Sequence, residues 1–165
     1  MNRELILIRH TKSSWADLQM RDFDRPLKQD RIADAINMGR HLSQIGLSPD
    51  LILCSPAIRT KQTAALLCSQ LAYDYNKVEF DLRLYESTAK DYLQAVRETE
   101  ASIRQLVVIG HNPSITHFAN MFLKHAVQEM STTAVVWIQF ESPDWEIYST
   151  TSNRLKCFLT PKTLW

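Results

Sequence analysis

Apolar residues along this chain fall into two kinds of run. Short, unbroken runs rich in β-branched residues alternate with longer stretches in which apolar positions recur every three or four residues. ELILIR (Glu4 to Arg9), LILC (Leu51 to Cys54) and LVVIG (Leu106 to Gly110) are apolar at consecutive positions, the mark of strands covered on both faces. VEF (Val78 to Phe80), AVVWIQF (Ala134 to Phe140) and LKCFL (Leu155 to Leu159) complete the predicted strands. Helical spacing runs from about Gln29 to Ile45 through Ile32, Ala35, Ile36, Gly39, Leu42 and Ile45. Gly46 stands at its C-cap, and Pro49 follows. Ser55-Pro56 fits an N-cap with proline at the first helical position, predicting a helix that reaches about Ala72. Further helices are predicted near Ala89 to Ala101 and from HNPSI to Leu123. The polar stretch from His10 to Lys28, which includes DFDRP, reads as a loop whose length asks for a functional reason.

Strands alternating with helices predict an α/β fold: a three-layer sandwich with a mostly parallel central sheet and helices on both faces. The 165 residues hold no repeat and no linker, so residues 1–165 read as one domain, at about 150 residues per domain. Ligands of such sheets bind beyond the carboxyl ends of the strands, which directs attention to the residues just after them.

Composition narrows the chemistry. Hydrophobic residues at 45% and charged residues at 22% exclude a disordered or fibrous chain. Nineteen basic against 18 acidic residues leave a formal charge of +1, with no bulk electrostatic footprint for nucleic acid or an anionic membrane. A bound anion must therefore be held by a local cluster. With three glycines, neither G-x-G-x-x-G nor G-x-x-x-x-G-K can be written, which excludes glycine-loop nucleotide sites. Three dispersed cysteines with no C-x-x-C suggest reduced thiols, without a zinc site or a disulfide frame. His117 lies six residues after His111 and His125 eight after His117, spacings that do not place a metal pair on one helix face. Leu5 to Ile8 is too short for a signal core or a membrane span, so a cytoplasmic protein is expected, without metal or cofactor.

The residues after the strands form a constellation. Arg9-His10 follow the first strand, and Ser55 leads from the second to Arg59. Tyr85-Glu86 come after the third, and the fourth ends in Gly110-His111. Two guanidiniums on one rim suit an anion with several oxygens, because arginine presents a planar fork of donors. The start of the helix after Ser55-Pro56 is expected to add free backbone donors. An imidazole among cations resists protonation and so stays nucleophilic. Phosphoryl transfer needs little beyond such positioning and charge stabilisation.

These same residues carry a family resemblance. LILIRHTKSSW, CSPAIRTKQTA and VVIGHNPS, in this order, resemble the three signatures of the histidine phosphatase superfamily, also called phosphoglycerate-mutase-like. KSSW, DFDRPL, DAINMGRHL and RLYEST are similar to its short SixA-like branch, described as phosphohistidine phosphatases. The likeness runs from about Leu5 to Phe140. It implies that His10 is the phosphoryl acceptor, that Arg9 and Arg59 clamp the phosphate, and that His111 donates to phosphoryl oxygens. By the same resemblance Glu86 is the candidate acid for the leaving group. Ser13, Arg25 and Trp15 are candidate substrate-binding residues, with loop capping or packing as the alternative for each.

The resemblance implies a metal-independent phosphatase acting on a phosphohistidine-bearing protein. Phosphatase activity on a small phosphorylated molecule, or a non-catalytic phosphoryl-binding module, are the alternatives. Thr11 stands in place of the signature glycine, where it is expected to reduce room near the phosphate. Arg31 also replaces a family glycine, and Ala16 replaces an asparagine that mutases use, which argues against mutase chemistry. The chain lacks the long insertion that forms a substrate lid in larger members, and a short, open pocket suits a phosphoryl group displayed on a macromolecule.

Overall fold

The structure, a computed structural model, describes residues 2–164. The elements are β1 (Asn2–Arg9), α1 (Ile32–Gln44), β2 (Leu51–Cys54), α2 (Ile58–Leu71), β3 (Glu79–Phe80), α3 (Ala89–Arg97), β4 (Gln105–Gly110), α4 (Ser114–Leu123), β5 (Val135–Glu141) and β6 (Asn153–Leu159). The six strands form one sheet in the order β3-β2-β4-β1-β5-β6. β3, β2, β4 and β1 run parallel, and β5 and β6 join antiparallel beyond β1. The α/β fold with a mostly parallel sheet is the one the hydrophobic pattern predicts.

The unbroken apolar runs explain why helices cover both faces. Successive strand residues point to opposite sides, so Leu5 and Leu7 of β1 enter one core while Ile6 and Ile8 enter the other. Leu106 and Val108 of β4 likewise oppose Val107 and Ile109. The first core is closed by Tyr92, Ala95 and Val96 of α3 and Ile115, Phe118, Ala119 and Phe122 of α4. Met38 and Leu42 of α1, with Ala64, Leu67 and Leu71 of α2, close the second.

Two expected boundaries move. α2 starts at Ile58 with Ala57 as its N-cap, rather than at Ser55-Pro56, and no side chain caps it. The Ser55 hydroxyl only weakly accepts the Ala57 N–H, at 3.4 Å, because it is engaged by His111. α3 stops at Arg97, four residues short of Ala101, and its Thr88–Asp91 capping box fixes the other end. Gly46 ends the first helix as predicted, at φ +99°, a left-handed conformation that costs glycine least.

Register sets the site. Arg9 of β1 pairs with Gly110 of β4, and Cys54 of β2 pairs with Ile109. The next residue of each strand, His10, Ser55 and His111, therefore emerges at one level on the carboxyl rim. The His10 N–H donates to the Gly110 carbonyl and the Ser55 N–H to the Ile109 carbonyl, each at 3.1 Å.

Candidate active site

A cavity of about 580 Å³ opens over this rim. Its wall contains all eight residues singled out in the sequence: Arg9, His10, Ser13, Trp15, Arg25, Arg59, Glu86 and His111. Lys12, Asp22, Tyr85, Ser87, Thr132 and the Asn112–Pro113–Ser114 turn complete most of the lining.

His10 is 7% exposed, and its Nδ1 lies 2.7 Å from the Thr11 carbonyl. A carbonyl only accepts, so Nδ1 carries the proton and the lone pair resides on Nε2. The ring centroid of His111 is 5.2 Å away. His111 Nδ1 is 3.3 Å from Arg59 Nη2, which can only donate. Its Nε2–H therefore points to Ser55 Oγ, at 2.8 Å. Burial first, then the charges of Arg59, Arg9 and Arg25, push the His10 imidazole down to about 3, against the opposing Thr11 hydrogen bond. Burial, His10 and Arg59 push His111 down to about 3, against a smaller opposing effect of Asp22. Both rings are neutral at physiological pH.

The arginines are held from outside the rim. Arg9 Nη1 donates to the Met130 carbonyl at 2.9 Å, and Asn112 Nδ2 donates to the same oxygen at 2.8 Å. Arg59 Nη1 donates to the Asp22 carbonyl at 2.7 Å and Nη2 to its carboxylate at 3.0 Å. The Nε of Arg9 and of Arg59 are buried and have no acceptor among the described residues. Buried donors without partners carry a free-energy cost that an anion among them would relieve.

Arg25 is buried in the wall, donating to Ser13 Oγ and Asp22 while its guanidinium carbon lies 3.7 Å from the centre of the Trp15 ring. Ser13 and Trp15 thus line the cavity and brace the loop at once. Trp15 remains 64% exposed at the mouth. Glu86 is exposed on the rim with a backbone φ of +48°, beside Tyr85.

Two expectations are corrected. The first turn of α2 contributes only Arg59 to the cavity wall; the turn before α4 lies there instead, so the anticipated backbone donors of α2 are not in the lining. Thr11 takes no room from the cavity. Its side chain is fully buried and accepts a hydrogen bond from the Thr133 hydroxyl at 2.9 Å, while its N–H donates to Thr63. Arg31 lies at the surface, 3.4 Å from Asp34 and away from the cavity.

Sequence reasoning missed Asp22, and it placed Ser55 and Tyr85 on the rim without giving either a role. Asp22 reads as part of a structural loop, yet it binds two cavity arginines and accepts from the Tyr85 hydroxyl at 2.8 Å. Burial would raise the Asp22 carboxyl, but hydrogen bonds from Arg25, Tyr85 and Arg59 outweigh it and hold the group well below the usual carboxylate range. Ser55 was legible by its place, as the first residue after a buried strand.

Comparison with known proteins adds a lineage to this geometry. A family model described as histidine phosphatase superfamily, branch 1, matches residues 5–102, a stretch that contains Arg9, His10, Arg59 and Glu86 and stops short of His111. An uncharacterized chloroplastic protein of Arabidopsis thaliana is 34% identical over 154 residues, covering 88% of this chain and 70% of the relative. A candidate SixA phosphohistidine phosphatase from Nakamurella multipartitia superposes with a TM-score of 0.83 at 23% identity, over 98% of this chain and 97% of that one. Its counterpart from Agrobacterium tumefaciens gives 0.80 at 25% identity, over 96% and 98% of the two chains.

Proposed function

Because this chain belongs to the histidine phosphatase superfamily, we propose that its phosphatase activity runs through a phosphorylated His10 and is directed at phosphohistidine in a protein. The observation that carries this reading is the state of His10: neutral, its proton fixed on Nδ1 by the Thr11 carbonyl, its Nε2 lone pair unspent among Arg9, Arg59 and His111. That is a nucleophile within a cationic cradle.

In the first step Nε2 of His10 bonds to phosphorus as the bond from phosphorus to the leaving atom breaks. The leaving atom takes a proton, and His10 becomes phosphohistidine. Water then attacks the same phosphorus, loses a proton, and frees inorganic phosphate and neutral His10. Arg9 and Arg59 balance the charge on the phosphoryl oxygens throughout. His111, held by Ser55 and Arg59, stands beside the transferring group as its further contact. We assign Glu86 the proton for an ester oxygen, while a phosphoramidate nitrogen is basic enough to take one from solvent. The SixA-like fold and the open cavity mouth support a phosphoryl group displayed on a protein.

A reducing, cytoplasmic setting is part of the proposal. Cys54, Cys68 and Cys157 are free. Among the described residues no helix is long and apolar enough to cross a membrane.

The test is phosphate release from a histidine-phosphorylated phosphotransfer domain and, in parallel, from para-nitrophenyl phosphate, with His10→Ala as the blank. Release from the phosphoprotein, lost in the blank, is expected. Turnover of the small ester alone would move the substrate to metabolites, and silence on both would favour a binding module.

A further inference from the structure

Asp22 is a carboxylate in the wall of a cavity made for anions, where electrostatic repulsion of a phosphoryl group works against it. Its acceptors are nevertheless all engaged. Oδ1 accepts from Nη2 and Nε of Arg25, at 2.8 and 3.2 Å. Oδ2 accepts from Arg59 Nη2 at 3.0 Å and from the Tyr85 hydroxyl at 2.8 Å. The backbone oxygen accepts from Arg59 Nη1 at 2.7 Å. One residue of the 10–28 loop thus grips both terminal nitrogens of an arginine 37 positions later and ties them to the segment before α3.

We infer that Asp22 is a positioning residue, an internal counter-anion that fixes the Arg59 guanidinium against His111 and in doing so lowers the resting affinity of the cavity for phosphate. Arginine is long and flexible, and a guanidinium stabilises a transition state fully only when it need not reorganise at the moment of reaction. Asp22 supplies that fixation at two points, a carboxylate and a carbonyl held by one backbone. The same carboxylate screens two guanidiniums that would otherwise attract any phosphate. Its removal should therefore move turnover and resting affinity in opposite directions, which damage to the fold alone does not do. The inference rests on Arg59 serving the phosphoryl group, as proposed above.

The experiment compares full-length wild type with Asp22→Asn, which keeps the shape and removes the charge, and with Tyr85→Phe, which removes one donor to Asp22. Turnover is measured on para-nitrophenyl phosphate and on the histidine-phosphorylated domain, and inorganic phosphate is titrated by calorimetry. Thermal midpoints report folding. Asp22→Asn is expected to lower kcat by about tenfold or more while binding phosphate several-fold more tightly; Tyr85→Phe should fall between it and wild type. An unchanged kcat, or phosphate affinity that stays level or weakens, would overturn the inference. If wild type hydrolyses neither substrate, the proposed activity falls instead, and the phosphate titration alone decides the role of Asp22.

Discussion

At the scale of single residues, one wall keeps two histidines neutral and holds two arginines in place. Because burial and the neighbouring guanidiniums push the His10 imidazole down to about 3, the acid limb of kcat/KM should lie well below the 6.5 of an ordinary imidazole. A pH–rate profile on para-nitrophenyl phosphate checks this, and an enzyme limb centred near 6.5 would show that His10 is not so buried in solution. Arg59→Ala should cost on the order of a hundredfold in kcat/KM, as loss of one transition-state donor does; an unchanged value would remove Arg59 from the chemistry. Glu86→Gln is expected to slow phenyl phosphate more than para-nitrophenyl phosphate, since the poorer leaving group needs the proton more. Equal effects on the two esters would dismiss Glu86 as the acid. His10 and His111 were legible in the sequence because chemistry-bearing residues directly after buried strands have one place to go, and Arg59 because it lies on the first turn of the helix that follows β2. Asp22 was not, because nothing in the spacing of a polar loop tells which of its acids reaches the cavity arginines.

At the scale of elements, the strands were readable because apolar residues at consecutive positions need cover on both faces, and both cores exist. The start of α2 was not. Ser55 has the composition of an N-cap, but its hydroxyl serves His111, a partner 56 residues away. β4 and α3 are joined at a point equally invisible to local pattern. The Tyr92 hydroxyl accepts from the His111 N–H at 3.0 Å and donates to the Leu84 carbonyl at 2.9 Å. It also stands 2.1 Å from where a Cβ on Gly110 would lie. Glycine before His111 is thus required here by the approach of Tyr92. Gly110→Ala should destabilise the protein by about 1–3 kcal/mol through overpacking. Tyr92→Phe should cost about 1–3 kcal/mol by stranding the buried His111 N–H. The double variant should lose less than the sum, because the worst clash disappears with the hydroxyl. Denaturant unfolding of the four proteins measures this, and strict additivity would deny the contact.

At the scale of the whole molecule, the site makes stability depend on pH. Both cavity imidazoles titrate near 6.5 in an unfolded chain and near 3 in the folded one. Between these values the unfolded chain binds protons that the folded chain refuses, so stability is highest above about 6.5 and falls as the pH drops toward 3. Asp22 acts lower: its depressed carboxyl stabilises above the unfolded value of 3.8 and is lost as pH falls through its folded one. The thermal midpoint should therefore fall between pH 7 and pH 5, and fall less in His111→Gln; equal slopes would contradict the shift. The near-neutral charge was readable from composition and the cation cluster from the residues that follow the strands, whereas the anion that holds the cluster in order emerged only with the fold. In the proposed cycle every turnover passes through phosphorylated His10. Rapid alkaline quench of the turning-over enzyme, followed by mass spectrometry of its peptides, looks for that intermediate. One phosphoryl group on the peptide that contains His10, formed within the first turnover and absent from His10→Ala, is the expected result. Steady turnover without phosphoryl on that peptide, or turnover by His10→Ala, would contradict it.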